Sequence, residues 1–241
     1  MKLTHTINGA ALFSIIAAAI VTFGIFASTA LADPVLQGYW TFDSDTVDSG
    51  IIVESSGYQA AGTHDGTLVG SGISFNAISG EAGNHLTSGN YISFTSDSYA
   101  VIKNTRITAE SATYKNSFDF GGKAFTISCW VKGLPDGNWE PYISKYGENN
   151  YGYQVRRQSS NTYPTFTYRR ADDDVDDPAP NILGVNTNVN DNQWHNIVSV
   201  FGGTYREQYL DGQLIMRVWN SAADCSGTNE SLVFSALFDG S

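Results

Sequence analysis

Residues 125–131 read Phe-Thr-Ile-Ser-Cys-Trp-Val, so Phe125, Ile127, Cys129 and Val131 alternate with Thr126, Ser128 and Trp130. Successive side chains of a strand point to opposite faces, so this period of two describes a strand with one apolar face. Such a face is stable only against a second layer. Residues 194–201, Trp-His-Asn-Ile-Val-Ser-Val-Phe, are apolar on both faces, as an interior strand would be. Residues 205–210 and 214–218 flank Asp211-Gly212, a pair suited to a tight turn with positive φ at both central positions. Further short strands are expected at 36–42, 91–94, 99–102, 142–144, 151–157 and 165–169, with turn residues between them. Helical periodicity is hard to find beyond the N-terminal segment. The pattern predicts one all-β domain, a two-sheet antiparallel sandwich, with Trp130 and Trp194 largely buried.

The N-terminus reads as an address. Lys2 precedes an apolar run from Ala10 to Phe26, and Ala30-Leu31-Ala32 offers an A-x-A cleavage pattern before Asp33. A signal helix over residues 1–32 and a mature domain over 33–241 are expected. The competing reading is an uncleaved anchor. Cleavage would make the protein secreted, extracellular or at the cell surface, with no membrane contact afterwards. A net charge of −11 argues against nucleic acid as a partner. An exported chain can keep a disulfide. Cys129 and Cys225 permit one, and Cys129 as a buried free thiol is the alternative.

Several stretches, in their order and spacing, resemble the laminin-G-like, concanavalin-A-like lectin/glucanase jelly-roll family. These are Gly38-Tyr39-Trp40-Thr41-Phe42-Asp43, then Ser55-Ser56-Gly57 with His64-Asp65-Gly66-Thr67-Leu68, then the 125–132 strand. Trp194-His195-Asn196-Ile197-Val198, followed by Tyr209-Leu210-Asp211-Gly212, completes the likeness. The resemblance implies a jelly-roll of two packed antiparallel sheets that binds a glycan or an extracellular protein, often with calcium at the rim. Fold alone does not fix function. One departure stands out: the family's closing strand is not recognisable after the hairpin, which suggests a C-terminally truncated domain with exposed sheet edge.

Two groups of residues are site candidates. Asp172, Asp173, Asp174, Asp176 and Asp177 form an acidic run, expected as an exposed loop, and oxygen ligands at that density suit Ca2+. A solvated acidic loop is the competing reading. Asp43 and Glu54 are secondary candidates. Aromatic residues crowd positions 139–168, and exposed Trp or Tyr rings can stack on sugar faces. Trp139, Tyr142, Tyr146, Asn149 and Arg156 are the candidate ligand-binding residues, with Trp139 and Tyr146 expected to face solvent. Catalytic residues are not expected. His195 has no local nucleophile, and the paired glutamates of retaining glucanases are absent. A lyase would need a set such as Arg156, Gln154, His195 and Tyr153 to converge. The expected function is a secreted, non-catalytic carbohydrate-binding or adhesion module. The alternative is a structural or protein-interaction domain of a larger surface protein.

Overall fold

The computed structural model describes residues 36–43, 47–57, 61–78, 89–95, 97–102, 118–120, 123–134, 138–146, 152–169, 186–219 and 231–235. All lie in the unit 36–241. Apart from a 3-10 turn at Val47–Ser49, the described elements are strands: β1 Ile51–Ile52, β2 Gly66–Val69, β3 Ile73–Ala77, β4 Asn90–Phe94, β5 Tyr99–Ile102, β6 Phe125–Lys132 and β7 Pro141–Tyr146. They continue as β8 Gly152–Arg157, β9 Pro164–Arg169, β10 Trp194–Phe201, β11 Tyr205–Leu210, β12 Gln213–Trp219 and β13 Val233–Phe234. A seven-stranded sheet runs β1-β2-β5-β13-β7-β8-β9, a four-stranded sheet runs β12-β11-β10-β6, and β3 pairs with β4. All the pairings are antiparallel.

The two larger sheets meet through aromatic rings, as the alternation in β6 requires. Phe125 of β6 lies 4.9 Å from Tyr153 of β8, 6.1 Å from Phe166 and 6.2 Å from Tyr168 of β9. Phe201 of β10 stacks on Tyr168 at 3.8 Å and sits 5.6 Å from Phe125. Offset and tilted pairs at these separations add to the burial of ring area. Strand β10 lies between β6 and β11, the interior position its apolar faces imply. Asp211 and Gly212 form the turn between β11 and β12, and both adopt the positive φ expected of that dipeptide.

Two expectations are corrected, for residues 36–42 and for Trp130, and one further strand is added. Residues 36–42 form no strand and belong to no sheet, and Phe42 adopts a positive φ. Their polar groups are taken up by a neighbouring loop instead: Tyr39 N donates to Glu54 Oε1 at 2.9 Å, and Ser55 N to Tyr39 O at 2.6 Å. The Trp40 ring meets Phe234 edge-on at 5.2 Å, and its Nε1 donates to His64 O. A strand does follow the hairpin: β13 is inserted between β5 and β7, with Val233 opposite both Val101 and Ser144. Ile102 N donates to Leu232 O and Ser235 N to Tyr142 O, so the insertion is hydrogen-bonded on both sides. Two residues are too few to show a period, which is why the sequence pattern missed it. Trp130 is 39 % exposed rather than buried, because β6 turns it away from the second sheet. Trp194 is 8 % exposed, as expected.

Candidate functional site

Register fixes which side chains share a face of the seven-stranded sheet. On β8, Tyr153 and Val155 face the ring cluster, so Gln154 and Arg156 point the other way. Gln154 lies opposite Ser144 of β7 and Thr167 of β9. Arg156 Nε donates to Thr167 Oγ1 at 2.9 Å, which places both on that face. The result is a row of hydroxyl, amide and guanidinium groups on the face opposite the rings. Ser144, Gln154 and Thr167 are buried, and Gln154 Oε1 has no hydrogen-bond partner. A buried acceptor without a donor costs about 1–3 kcal/mol unless water or a ligand supplies one.

Trp139 stands at the edge of this row. It occupies the turn before β7 with a positive φ, a left-handed conformation that is uncommon for a side chain of this size. Pro141 pairs with Arg156, which brings the guanidinium to 4.5 Å from the Trp139 ring. A cation over an indole face is attracted by the ring quadrupole. The indole remains 39 % exposed. Of the five candidate ligand-binding residues, the fold joins these two.

The others fare differently. Tyr142 is half-buried against the core, and its hydroxyl donates to Gly133 O at 2.9 Å. Burial, then the neighbouring Cys129, pushes its pKa well up, so it acts as a neutral tether. Tyr146 is only 7 % exposed, which corrects the expectation that it faces solvent. The glycine after it promised a turn tip, but β7 extends through Tyr146 and pairs it with Gly152. Asn149 lies outside the described residues, as do Asp172, Asp173, Asp174, Asp176 and Asp177. Among the described residues no group of three or more His, Cys, Asp or Glu side chains could hold a metal ion. Glu54 Oε1 is occupied by the amides of Tyr39 and Ser56, and Asp43 Oδ1 by the amide of Asn90. Both carboxylates pin loops. Cys129 is a free thiol whose pKa is pushed up to about 12 by burial, which makes it inert.

The lyase-type set does not converge. Tyr153 faces the ring cluster, Gln154 and Arg156 face away from it, and His195 belongs to the other sheet. His195 has its own structural task. Its Nδ1 lies 2.8 Å from Asp211 Oδ2 and its Nε2 2.9 Å from Asp191 Oδ1. Both ring nitrogens face carboxylates, so both bonds form only when the ring is the doubly protonated imidazolium. Burial opposes the charge, but the bonds to Asp211 and then Asp191 outweigh it and raise the pKa. Asp211 Oδ1 also accepts from Asn196 N, so the cluster anchors the β11–β12 turn.

The sequence reading missed one exposed ring altogether. Trp219, at the end of β12, is 73 % exposed. Its place two residues after Arg217, on the same outer side of that strand, was the available signal.

The chain belongs to the concanavalin A-like lectin/glucanases superfamily: a laminin-G-like model of that family matches residues 103–237, more than half of the sequence. No curated protein matches it significantly. The fold is similar to domain 4 of AbnA, a GH43 extracellular arabinanase from Geobacillus stearothermophilus, solved in complex with arabinotriose. The TM-score is 0.53 at 14% identity, covering 84% of each chain. It is also similar to the binding domain of Paraclostridial Mosquitocidal Protein 1, with TM-score 0.53 and 15% identity over 77% of this chain. This chain covers only 42% of that domain. At these identities the likeness is one of fold.

Proposed function

We propose that the protein is a secreted or cell-surface, non-catalytic carbohydrate-binding module whose primary contact is the Trp139–Arg156 pair. One observation carries this reading: an indole left partly exposed at the edge of a polar sheet face and held in place by a stacked guanidinium. Sugars present CH faces that stack on indole and hydroxyls that need donors, and Trp139 with the half-buried Arg156 offers one of each. The likeness in fold to an arabinanase domain solved with arabinotriose is consistent with a glycan ligand. An extracellular protein partner is the second class to screen. Export rests on the N-terminal apolar run and its A-x-A ending.

A glycan array with wild type and Trp139→Ala tests the reading. The variant should weaken binding about tenfold, or ~1.4 kcal/mol. Equal signals from both proteins would remove Trp139 from the site, and silence from wild type would remove the glycan. Calcium at Asp172, Asp173, Asp174, Asp176 and Asp177 belongs to the same proposal on carboxylate density alone. Titration of the apo protein with Ca2+ should give a binding isotherm that Asp174→Asn weakens. A flat isotherm for wild type would delete the ion.

A further inference from the structure

The four-stranded sheet has an outer face that the site above does not use. Core-facing residues of β6 alternate with Thr126, Ser128 and Trp130, and the first two are exposed along with the indole. Trp130 lies opposite Asn196 of β10, and Lys132 lies beyond it, opposite the covered Trp194. Across the sheet, Glu207 of β11 lies opposite Arg217 of β12, and Tyr205 opposite Trp219. Arg217 Nε donates to Glu207 Oε1 at 2.6 Å, and Tyr209 donates its hydroxyl to Glu207 Oε2 at 2.6 Å. The acid–base pair in this register is therefore internally neutralised. In a chain of net charge −11, the described residues between the two exposed indoles carry no net charge and present hydroxyl and amide groups. Tyr205 supports the Trp219 ring edge-on at 5.7 Å.

The two indoles are far apart. Gly202 N bonds Tyr205 O across the β10–β11 turn, so register separates Trp130 from Trp219 by three strand spacings and about six residues along the strands. At about 4.8 Å per strand and 3.3 Å per residue, this is roughly 14 Å across and 20 Å along. A protein partner would favour an apolar centre with a polar rim. Here the order is reversed: indoles at the ends, and Asn196, half-buried valines and a closed charge pair between them.

We infer that this outer face is a second contact surface for an uncharged, extended polysaccharide, gripped at its ends by Trp130 and Trp219. The inference shares only its ligand class with the function proposed above. Two separated contacts on one long chain raise affinity through effective concentration, while a short oligosaccharide reaches only one of them.

The test is affinity electrophoresis of the full chain in native gels cast with neutral arabinan, xylan or β-glucan, and with a charged pectin. The proteins are wild type, Trp139→Ala, the double variant Trp130→Ala/Trp219→Ala, and the same pair changed to Phe. The double Ala variant should lose at least tenfold in affinity for a neutral polysaccharide and keep wild-type affinity for its trisaccharide by calorimetry. The Phe pair, which keeps both rings, should retain most of the retardation. If the double Ala variant is retarded like wild type while Trp139→Ala is not, the outer face is idle and the first site stands. If no gel retards wild type, both readings fall. Preference for pectin would overturn the uncharged ligand. Sedimentation giving a wild-type dimer and a monomeric double Ala variant would make the face an interface between copies and overturn the inference.

Discussion

Trp194 and Trp130 sit on adjacent strands of one sheet and on the same face, yet one is buried and the other is not. Register pairs Trp194 with Lys132 and Trp130 with Asn196, one step of two residues apart along the ladder. Both point away from the ring cluster. Trp194 is covered because Tyr91 of β4 meets its ring edge-on at 5.1 Å. The same face is thus buried at Trp194 and more exposed at Trp130. Alternation assigns a side chain to a face, but a separate element decides whether that face is covered.

The largest effect calibrates the interior. Phe201 is fully buried and stacks on Tyr168. Phe201→Ala should therefore cost about 3–5 kcal/mol in urea unfolding. A loss under about 1 kcal/mol would mean that the two sheets do not share this core. Trp194→Ala should cost about 3 kcal/mol, because it empties a packed contact although the residue faces outward. If it unfolds like wild type, Tyr91 does not cover it and the contrast with Trp130 fails.

The next effect is one of pH. His195 carries a raised folded pKa. Its charged contacts therefore stabilise the fold fully below the unfolded value of about 6.5. That contribution is lost as pH rises through the higher folded value. The difference in melting temperature between wild type and His195→Asn should shrink from pH 6 towards pH 9. Burial would raise the Asp191 pKa, but bonds from His195 and from the Gln193 amide outweigh it and lower the value. The Asp191 part is therefore present above the ordinary carboxylate range and fades in acid, as the pH falls through the lowered value. A difference that is flat from pH 6 to 9 would place a neutral imidazole at this turn.

The smallest effect is the other half of the comparison. Trp130→Ala should cost several-fold less than Trp194→Ala in the same urea unfolding, since the ring it removes is more exposed. A cost matching that of Trp194→Ala would show that the outer face is packed throughout.

The candidate site was legible by residue type and illegible by arrangement. Trp139 in a loop and Arg156 on a strand could each be named from local pattern. Their stacking depends on the β7–β8 register, which shifts between Pro141 and Ile143. Tyr142 and Tyr146 stood beside Trp139 as candidate contacts, with Trp139 and Tyr146 expected to face solvent. Only the strand they belong to, the Gly133 carbonyl and the neighbouring core separate tether from contact. His195 is similar: Asp191 lies four residues before it, but the bond to Asp211 joins β10 to the β11–β12 turn and depends on the register of the sheet.

By itself, the sequence determined the all-β architecture, the interior place of β10 and the Asp211-Gly212 turn. Period two, two-sided apolarity and positive-φ residues are local properties that any stable fold of this chain must satisfy. The tertiary structure decided the rest: the insertion of β13 between β5 and β7, the cover over Trp194 and the pairing of Trp139 with Arg156. Each of these joins segments distant in the chain, and a contact between distant segments leaves no periodic trace in either one.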